Sequence, residues 1–471
     1  MKTPAFVLAQ RRSLFWRIHL WAALIASPFA LVAVLTGLLY VFTPQIEGML
    51  YEHLDTVRPM AARRPLDEVV QAAREAAPGG LELRSVNVPA LAERSVQVFF
   101  SPRKPGAAAA VSAHAEHTGH AQHAGTAAAA QPVAATPAAP EPSQFGERLP
   151  RGVVVYVNPY TAEVLGSHAE MERFNLWARR LHSSLLQGDG WRWMIELAAS
   201  WMMVMLLTGV YLWWPRRRAR VLPDAQARGR GAWKQWHAFM GVALSVMSLA
   251  ILTTGLTWSR HAGDQIRFAR DFLGQASPSA PRGLQSVAAH GQPALDWQSV
   301  LAIAQRQAPH VATQMMPPRG AAGVWRLNNL DRGQALGRFN LVLDAYSGKT
   351  LFFAGWQEQT AFGKATAIGI PFHRGEFGWW NQALLFLFGT GVLFSVVSGW
   401  VMLLKRRRHG AALLPRLMAG AWTSMPLAGW AVGGVLCVAL PLLAASAAVV
   451  VLVEALIDWR RRAAAPLLAR S

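Results

Sequence analysis

Residues 16–43 read WRIHLWAALIASPFALVAVLTGLLYVFT, and residues 233–256 read WKQWHAFMGVALSVMSLAILTTGL. Each stretch opens on a tryptophan and a cation, Trp16-Arg17 or Trp233-Lys234, and reaches one histidine, His19 or His237. Each then carries a Thr-Gly-Leu triplet, at Thr36-Gly37-Leu38 or Thr254-Gly255-Leu256, with histidine and threonine 17 positions apart in both (36 − 19 and 254 − 237). A helix of about 20 apolar residues crosses the roughly 30 Å hydrocarbon layer, so both stretches are candidate membrane spans related by an internal repeat.

Working outward, the repeat extends. Leu181-His182 leads through Gly190-Trp191 to Thr208-Gly209 and Arg216-Arg217-Arg218, and Phe372-His373 leads through Gly378-Trp379 to Ser398-Gly399 and Arg406-Arg407-Arg408. Apolar stretches near 18–43, 192–214, 237–258, 380–404 and 427–456 give five expected spans, helical because lipid offers no partner to backbone groups. The first exceeds a signal-peptide core and lacks a small-residue cleavage pattern, so it reads as a retained anchor. Basic clusters at the N-terminus, at 216–220 and at 405–408 mark the cytoplasmic face, which puts 44–191 and 259–379 outside. Five spans then leave Trp459-Arg460-Arg461-Arg462 outside, against the charge rule; a kink at Pro441 or a hairpin involving 411–426 would return it.

The outer segments repeat as well. Asn158 to Leu165 closes one and Asp344 to Leu351 the other, each after an apolar strand (Val153 to Val157, Phe339 to Leu343) and a helical pattern upstream (Leu66–Ala76, Trp297–Ala308). Residues 102–149 are Ala/Pro-rich and aperiodic, reading as a flexible insert. Its histidines His114, His117, His120 and His123, three apart, read as weak metal buffering or simple low complexity.

The expected fold class is therefore mainly α: a polytopic membrane helical bundle with a four-helix core from two tandem repeats plus one C-terminal span, and two small α+β outer modules. The expected divisions are 1–43, anchor and first span; 44–175, first module with its insert; 176–258, second and third spans with a basic loop at 215–235; 259–370, second module; 371–408, fourth span; and 409–471, a C-terminal hydrophobic region.

Composition excludes several functions. With 52% hydrophobic and 15% charged residues the chain is too apolar for a soluble protein of this size. Its formal charge of +20 sits beside the spans, where positive-inside topology explains it without a nucleic-acid partner. The single cysteine, Cys437, allows neither an intramolecular disulfide nor a cysteine-ligated iron–sulfur cluster. No Gly-x-Gly-x-x-Gly after a strand, no P-loop and no flavin module is found.

The Trp-Arg-x-His opening at 16–19, Leu181 to Leu186 before the second span, Tyr-Leu-Trp-Trp-Pro-Arg at 211–216 and the two Tyr-Thr/Ser turns carry a resemblance. The chain resembles the PepSY-associated transmembrane family, some of whose members look like inner-membrane di-haem ferric-siderophore reductases. The resemblance covers nearly all of the chain outside 102–149 and the tail, and departs from the family pattern at Met402-Leu403-Leu404-Lys405, where a Trp-rich end is usual. It implies two b-type haems, periplasmic PepSY modules and a link to iron acquisition.

Independently, four histidines stand at span ends, where ionisable groups are functional candidates. For one alone, an interfacial ring satisfied by water or headgroups is the simpler reading; four at matched repeat positions favour ligands. His19 and His237 would grip one haem iron at cytoplasmic depth, and His182 and His373 a second at periplasmic depth, with roughly 20 Å between irons for some 15 residues of helix. Arg17 and Lys234 near the inner pair, and Arg179, Arg180 and Arg374 near the outer, either balance haem propionates or snorkel to the interface. Glu196, about a turn inside the second span, either relays a proton or snorkels outward. Trp177, Trp191, Trp193, Trp379 and Trp380 read as an aromatic belt.

These readings predict an inner-membrane electron-transfer enzyme with a cytoplasmic N-terminus, reducing a periplasmic ferric-siderophore with electrons from a membrane quinol or a cytoplasmic reductase. Two other classes compete: a non-enzymatic membrane sensor or protease regulator, and a metal permease.

Overall fold

The computed structural model describes residues 3–102, 152–214, 222–287, 292–408, 412–414 and 416–468. The expectations for His114, His117, His120 and His123 and for Arg216–Arg218 and Arg220 fall outside the described residues. The chain is mostly helical, with one sheet.

Helix α1 (Pro4–Val41) begins where Thr3 accepts a bond from the Phe6 amide, with Pro4 at the first helical position, a start that needs no amide donor. It packs most extensively on α5 (Trp193–Trp213) and then on α11 (Trp379–Arg408). The expected third span is broken: α6 (Gly229–Ala243) and α7 (Ser245–Leu256) meet at 56°, with the Ser245 hydroxyl donating to the Val242 carbonyl at the break. Four helices are long and apolar enough to cross a membrane, five when the bent pair counts as one span. The chain is a multi-pass membrane protein.

The expected single C-terminal span is two helices, α12 (Leu427–Ala439) and α13 (Pro441–Leu468). Pro441 has no amide to continue a helix and forces Leu440 out of helical geometry, to φ −127° and ψ 82°. Gln10 and Arg11 on α1 donate to the Ala419 and Ser424 carbonyls, fixing the start of this hairpin beside the N-terminus. Its turn, at Leu440 and Leu443, packs with Leu256 and Ala262 at the opposite end of the bundle, and Arg461 then donates to the Leu414 carbonyl. The tail returns to the end where the chain begins, and Arg461 joins the other cations there.

Beyond the bundle, α2 (Thr43–Asp55), α3 (Leu66–Ala76), α4 (Phe174–Ser184), α8 (His261–Phe272), α9 (Trp297–Gln307) and α10 (Ala361–Arg374) surround one sheet. Strands β1 (Leu81–Val88), β2 (Val96–Pro102), β3 (Val153–Val157) and β4 (Val164–Ala169) form one antiparallel meander; β5 (Thr313–Met316), β6 (Val324–Asn329), β7 (Asn340–Asp344) and β8 (Thr350–Ala354) form the other. The order β4-β3-β2-β1-β5-β6-β7-β8 joins the two outer segments into one eight-stranded sheet. Val86 faces Met315 and Val88 faces Thr313 across the seam, so neither meander exposes its first strand as an open edge.

Helices α3 and α9 cover one face of this sheet, burying Val69, Val70, Val300 and Leu301 against Val98, Val155, Leu327 and Leu341. They also cap each other. The Asp67 carboxylate accepts from the Trp297 and Gln298 amides at 3.0 Å each, and the Gln298 side-chain oxygen accepts from the Leu66 amide at 3.0 Å. Orphan amides at each helix start are thus satisfied from the other half of the sheet.

The turn after β7 is organised by Asp344, 5% exposed, whose carboxylate accepts from the Val287, Tyr346 and Ser347 amides and the Ser347 hydroxyl at 2.8–3.0 Å. Burial works to raise this carboxyl, but the backbone and hydroxyl donors outweigh it and hold the group at about 2. A carboxyl depressed in the fold stabilises above its unfolded value of about 3.9 and loses that contribution as pH falls through the folded value. Asp344→Ala is expected to cost about 1–3 kcal/mol by stranding buried amides. Hydrogen exchange at residues 345–347 should accelerate in the variant at neutral pH, and in the wild type only on acidification from near pH 4 towards 2.

Candidate functional site

Each of the four histidines is seated in the same way. His19 of α1 places Nδ1 3.1 Å from the Met205 carbonyl and 3.1 Å from the Thr208 hydroxyl of α5. His182 of α4 places Nδ1 3.0 Å from the Thr36 hydroxyl of α1. His237 of α6 meets the Ser395 carbonyl at 3.0 Å and the Ser398 hydroxyl at 2.9 Å on α11, and His373 of α10 meets the Ile251 carbonyl at 3.1 Å and the Thr254 hydroxyl at 3.0 Å on α7. Every one of these hydroxyls spends its own hydrogen on a carbonyl one turn back in its helix.

The hydroxyl and carbonyl oxygens can therefore only accept, which fixes a proton on Nδ1 and leaves Nε2 as a bare lone pair. No partner for Nε2 of these rings is found among the described residues. The glycine after each hydroxyl residue makes room for the ring: a methyl group on Gly37, Gly209 or Gly255 would stand 3.3 Å from Cε1 of His182, His19 or His373, and one on Gly399 would stand 3.6 Å from Cε1 of His237.

Across the two repeats the rings form pairs. His19 and His237 lie 6.4 Å apart between centroids, at 87°. His182 and His373 line one cavity with Gly37 and Gly255, walled mostly by aliphatic side chains of α1, α5, α7 and α11, with about 1770 Å³ of empty space including its open mouth. Thr36 and His19 share α1, so the two levels are separated by about 25 Å of helix at 1.5 Å per residue.

The expected counter-charges divide. Arg179 and Arg374 line the cavity of the outer pair, and Arg374 donates twice to the Tyr40 hydroxyl at 3.1 Å. Arg17, 3% exposed, is engaged by Glu454 of α13 at 2.6 and 2.8 Å, and Trp21 donates to the same carboxylate. Arg180, half-buried, lies outside the cavity lining, and Lys234 is exposed. Trp177, Trp191, Trp193, Trp379 and Trp380 are all exposed on the bundle, as a lipid-facing belt requires.

Glu196, 2% exposed, neither snorkels nor stands alone. Its carboxylate accepts from the Ala262 amide at 2.7 Å, the His261 amide at 3.3 Å and His261 Nδ1 at 3.3 Å, capping α8 from across the bundle.

The chain matches, over residues 16–406, the family described as the PepSY-associated TM region. The chain belongs to that family. No curated protein matches it in sequence. The four seats all lie within the part matched to the PepSY-associated TM region.

Sequence reading marked Thr36-Gly37, Thr208-Gly209, Thr254-Gly255 and Ser398-Gly399 as signatures of the repeat but gave them no task. The signal was present: the same hydroxyl-glycine step recurs at equivalent places in four helices of otherwise variable sequence. Glu196→Ala is expected to destabilise the start of α8 by about 1–2 kcal/mol, the usual cost of a lost helix cap. Amide exchange at residues 261–264 should rise in that variant and much less in Glu196→Gln, whose carbonyl still accepts.

Proposed function

We propose that this protein carries electrons across the bacterial inner membrane on two b-type haems, one between His19 and His237 and one between His182 and His373, and reduces a ferric-siderophore or similar ferric chelate on the outer side. The observation that carries the reading is the fourfold seat: four imidazoles with Nδ1 tethered and Nε2 free, paired across the repeats. Tethered Nδ1–H groups of this kind orient metal-ligating rings and raise their basicity. Two metal–imidazole bonds of about 2.0–2.1 Å each, with the two ring radii behind them, account for the 6.4 Å between the His19 and His237 centroids.

The donor set suits a porphyrin better than a bare ion. Among the described residues no three His, Cys, Asp or Glu side chains come together. A macrocycle brings its own equatorial nitrogens and asks only two axial imidazoles of the protein. Bound at these two depths, haems would supply one-electron carriers. Arg179 and Arg374 at the outer cavity are placed to balance propionates.

The chain holds no nucleotide motif, so electrons come from a membrane quinol or a cytoplasmic reductase. Each chelate takes one electron in passing from Fe(III) to Fe(II), so one quinol, oxidised to quinone with release of two protons, serves two chelates. Ferrous iron is held less firmly by hard oxygen ligands, which frees it. Arg11, Arg12, Lys405 and Arg461 gather at the end of the bundle where both termini lie, and the positive-inside rule makes that end cytoplasmic.

An oxidised-minus-reduced spectrum with haem quantitation tests the reading. Two haem equivalents are expected in the wild type, and about one in each of His19→Ala, His237→Ala, His182→Ala and His373→Ala. Thr208→Val should keep the fold but weaken retention of the inner haem by about tenfold or more, the usual effect of losing an orienting partner. A colourless wild type, purified after expression with ample haem, would overturn the proposal in favour of a sensor.

A further inference from the structure

A second cavity, of about 400 Å³, lies where the sheet meets the bundle, bounded by the start of α2, by β1 and β2, and by the turn at residues 374–376. It shares Tyr40 and Arg374 with the cavity of His182 and His373. The two spaces are thus neighbours across one hydrogen-bonded Arg374–Tyr40 contact.

Its walls contain polar atoms that the protein leaves unanswered. Thr43 is 6% exposed and Ser95 is 4% exposed, yet Thr43 Oγ1 and Ser95 Oγ have no hydrogen-bond partner. Glu376 commits Oε1 to Arg374 at 2.9 Å, while its buried Oε2 is likewise without a partner. All three residues line this one cleft. Burying a hydroxyl unpaired is unfavourable, and native folds rarely tolerate it without a ligand or water to answer it. Residues from the bundle, from α2 and from the sheet converge here, so the cleft exists only in the assembled molecule.

Charge defines what would fit. Arg94, Arg173 and Arg374 are matched by Glu47, Asp55 and Glu376. Arg173 is already clamped by Asp55 at 2.8 and 3.0 Å and by Glu47 at 3.2 Å. A polyanion would meet three carboxylates with no surplus of cations to offset them. A ligand rich in oxygen and amide groups, with little net charge, would instead answer the hydroxyls and the side-chain amides of Asn87 and Gln97.

We propose that this cleft is the seat of the ferric chelate and that it selects chelates of little or no net charge over polyanionic ones. The proposal rests on the reductase reading, and gallium(III) separates the two, because its chelates copy the charge and shape of ferric ones but accept no electron. The test is equilibrium dialysis of the haem-replete full chain in lipid nanodiscs against a neutral gallium trihydroxamate and a trianionic gallium tris-catecholate. The neutral chelate is expected to bind at least tenfold more tightly. Ser95→Ala and Thr43→Val should each weaken it by roughly three- to tenfold, the worth of one hydrogen bond, with the haem spectrum unchanged. Undiminished binding in the double variant, or a preference for the trianion, would overturn the proposal. A haem-replete protein that binds neither chelate sinks the cleft and spares the electron relay; a haem-free protein that binds the neutral chelate does the reverse.

Discussion

The whole architecture depends on one hydrogen bond made four times, from the Nδ1–H of a histidine to the hydroxyl of a Thr or Ser one helix away. It works because that hydroxyl has already donated within its own helix and can only accept. It needs glycine beside it, because any side chain there would crowd the ring. Each repeat uses the bond twice and reciprocally: α1 gives His19 to α5 and receives His182 from α4, just before α5, while α6–α7 and α10–α11 repeat the exchange. Every half is latched to itself, and the two halves meet through their imidazoles.

The outer sheet follows the same logic by different means. Two meanders that would each leave an open edge pair through β1 and β5, and the helices that cover them satisfy each other's first amides. Arg173 then fastens the sheet to the bundle: its guanidinium pairs with Glu47 and Asp55 of α2 and lies over the rings of Tyr51 and Tyr156, 4.4 and 5.8 Å from their centroids. Burial works against the charged form of this side chain, but its carboxylate partners more than offset that and push its pKa up. The polar cleft sits directly beside this junction, so the relative position of sheet and bundle is set by ionic contacts at its rim.

Much of this was legible in the chain. Hydropathy gave the long spans, and the internal repeat singled out His19, His182, His237 and His373 together with the hydroxyl-glycine steps, since duplicated spacing survives where local propensity says little. Helices α3 and α9 and strand β3 were readable from their periodicity. Three features were not. The break at Ala243–Ser245 has no proline to announce it, only a serine turned back on its own helix. The pairing of β1 with β5 joins residues more than two hundred positions apart, and each strand alone reads as the start of an independent module. The fates of Arg17 and Glu196 depended on partners, Glu454 and the first amides of α8, that no local pattern connects to them.

The contact between Arg17 and Glu454 gives the C-terminal hairpin a role beyond anchoring. A guanidinium that is 3% exposed, two residues from His19, keeps its charge compensated by a carboxylate on the last helix, tethered through the reversal at Leu440–Pro441. The terminal hairpin is in effect a covalently attached counterion for the inner imidazole pair. Trimming it as a dispensable appendage would leave a naked positive charge in a low-dielectric interior beside the inner pair, and the damage would surface at the opposite end of the sequence from the cut.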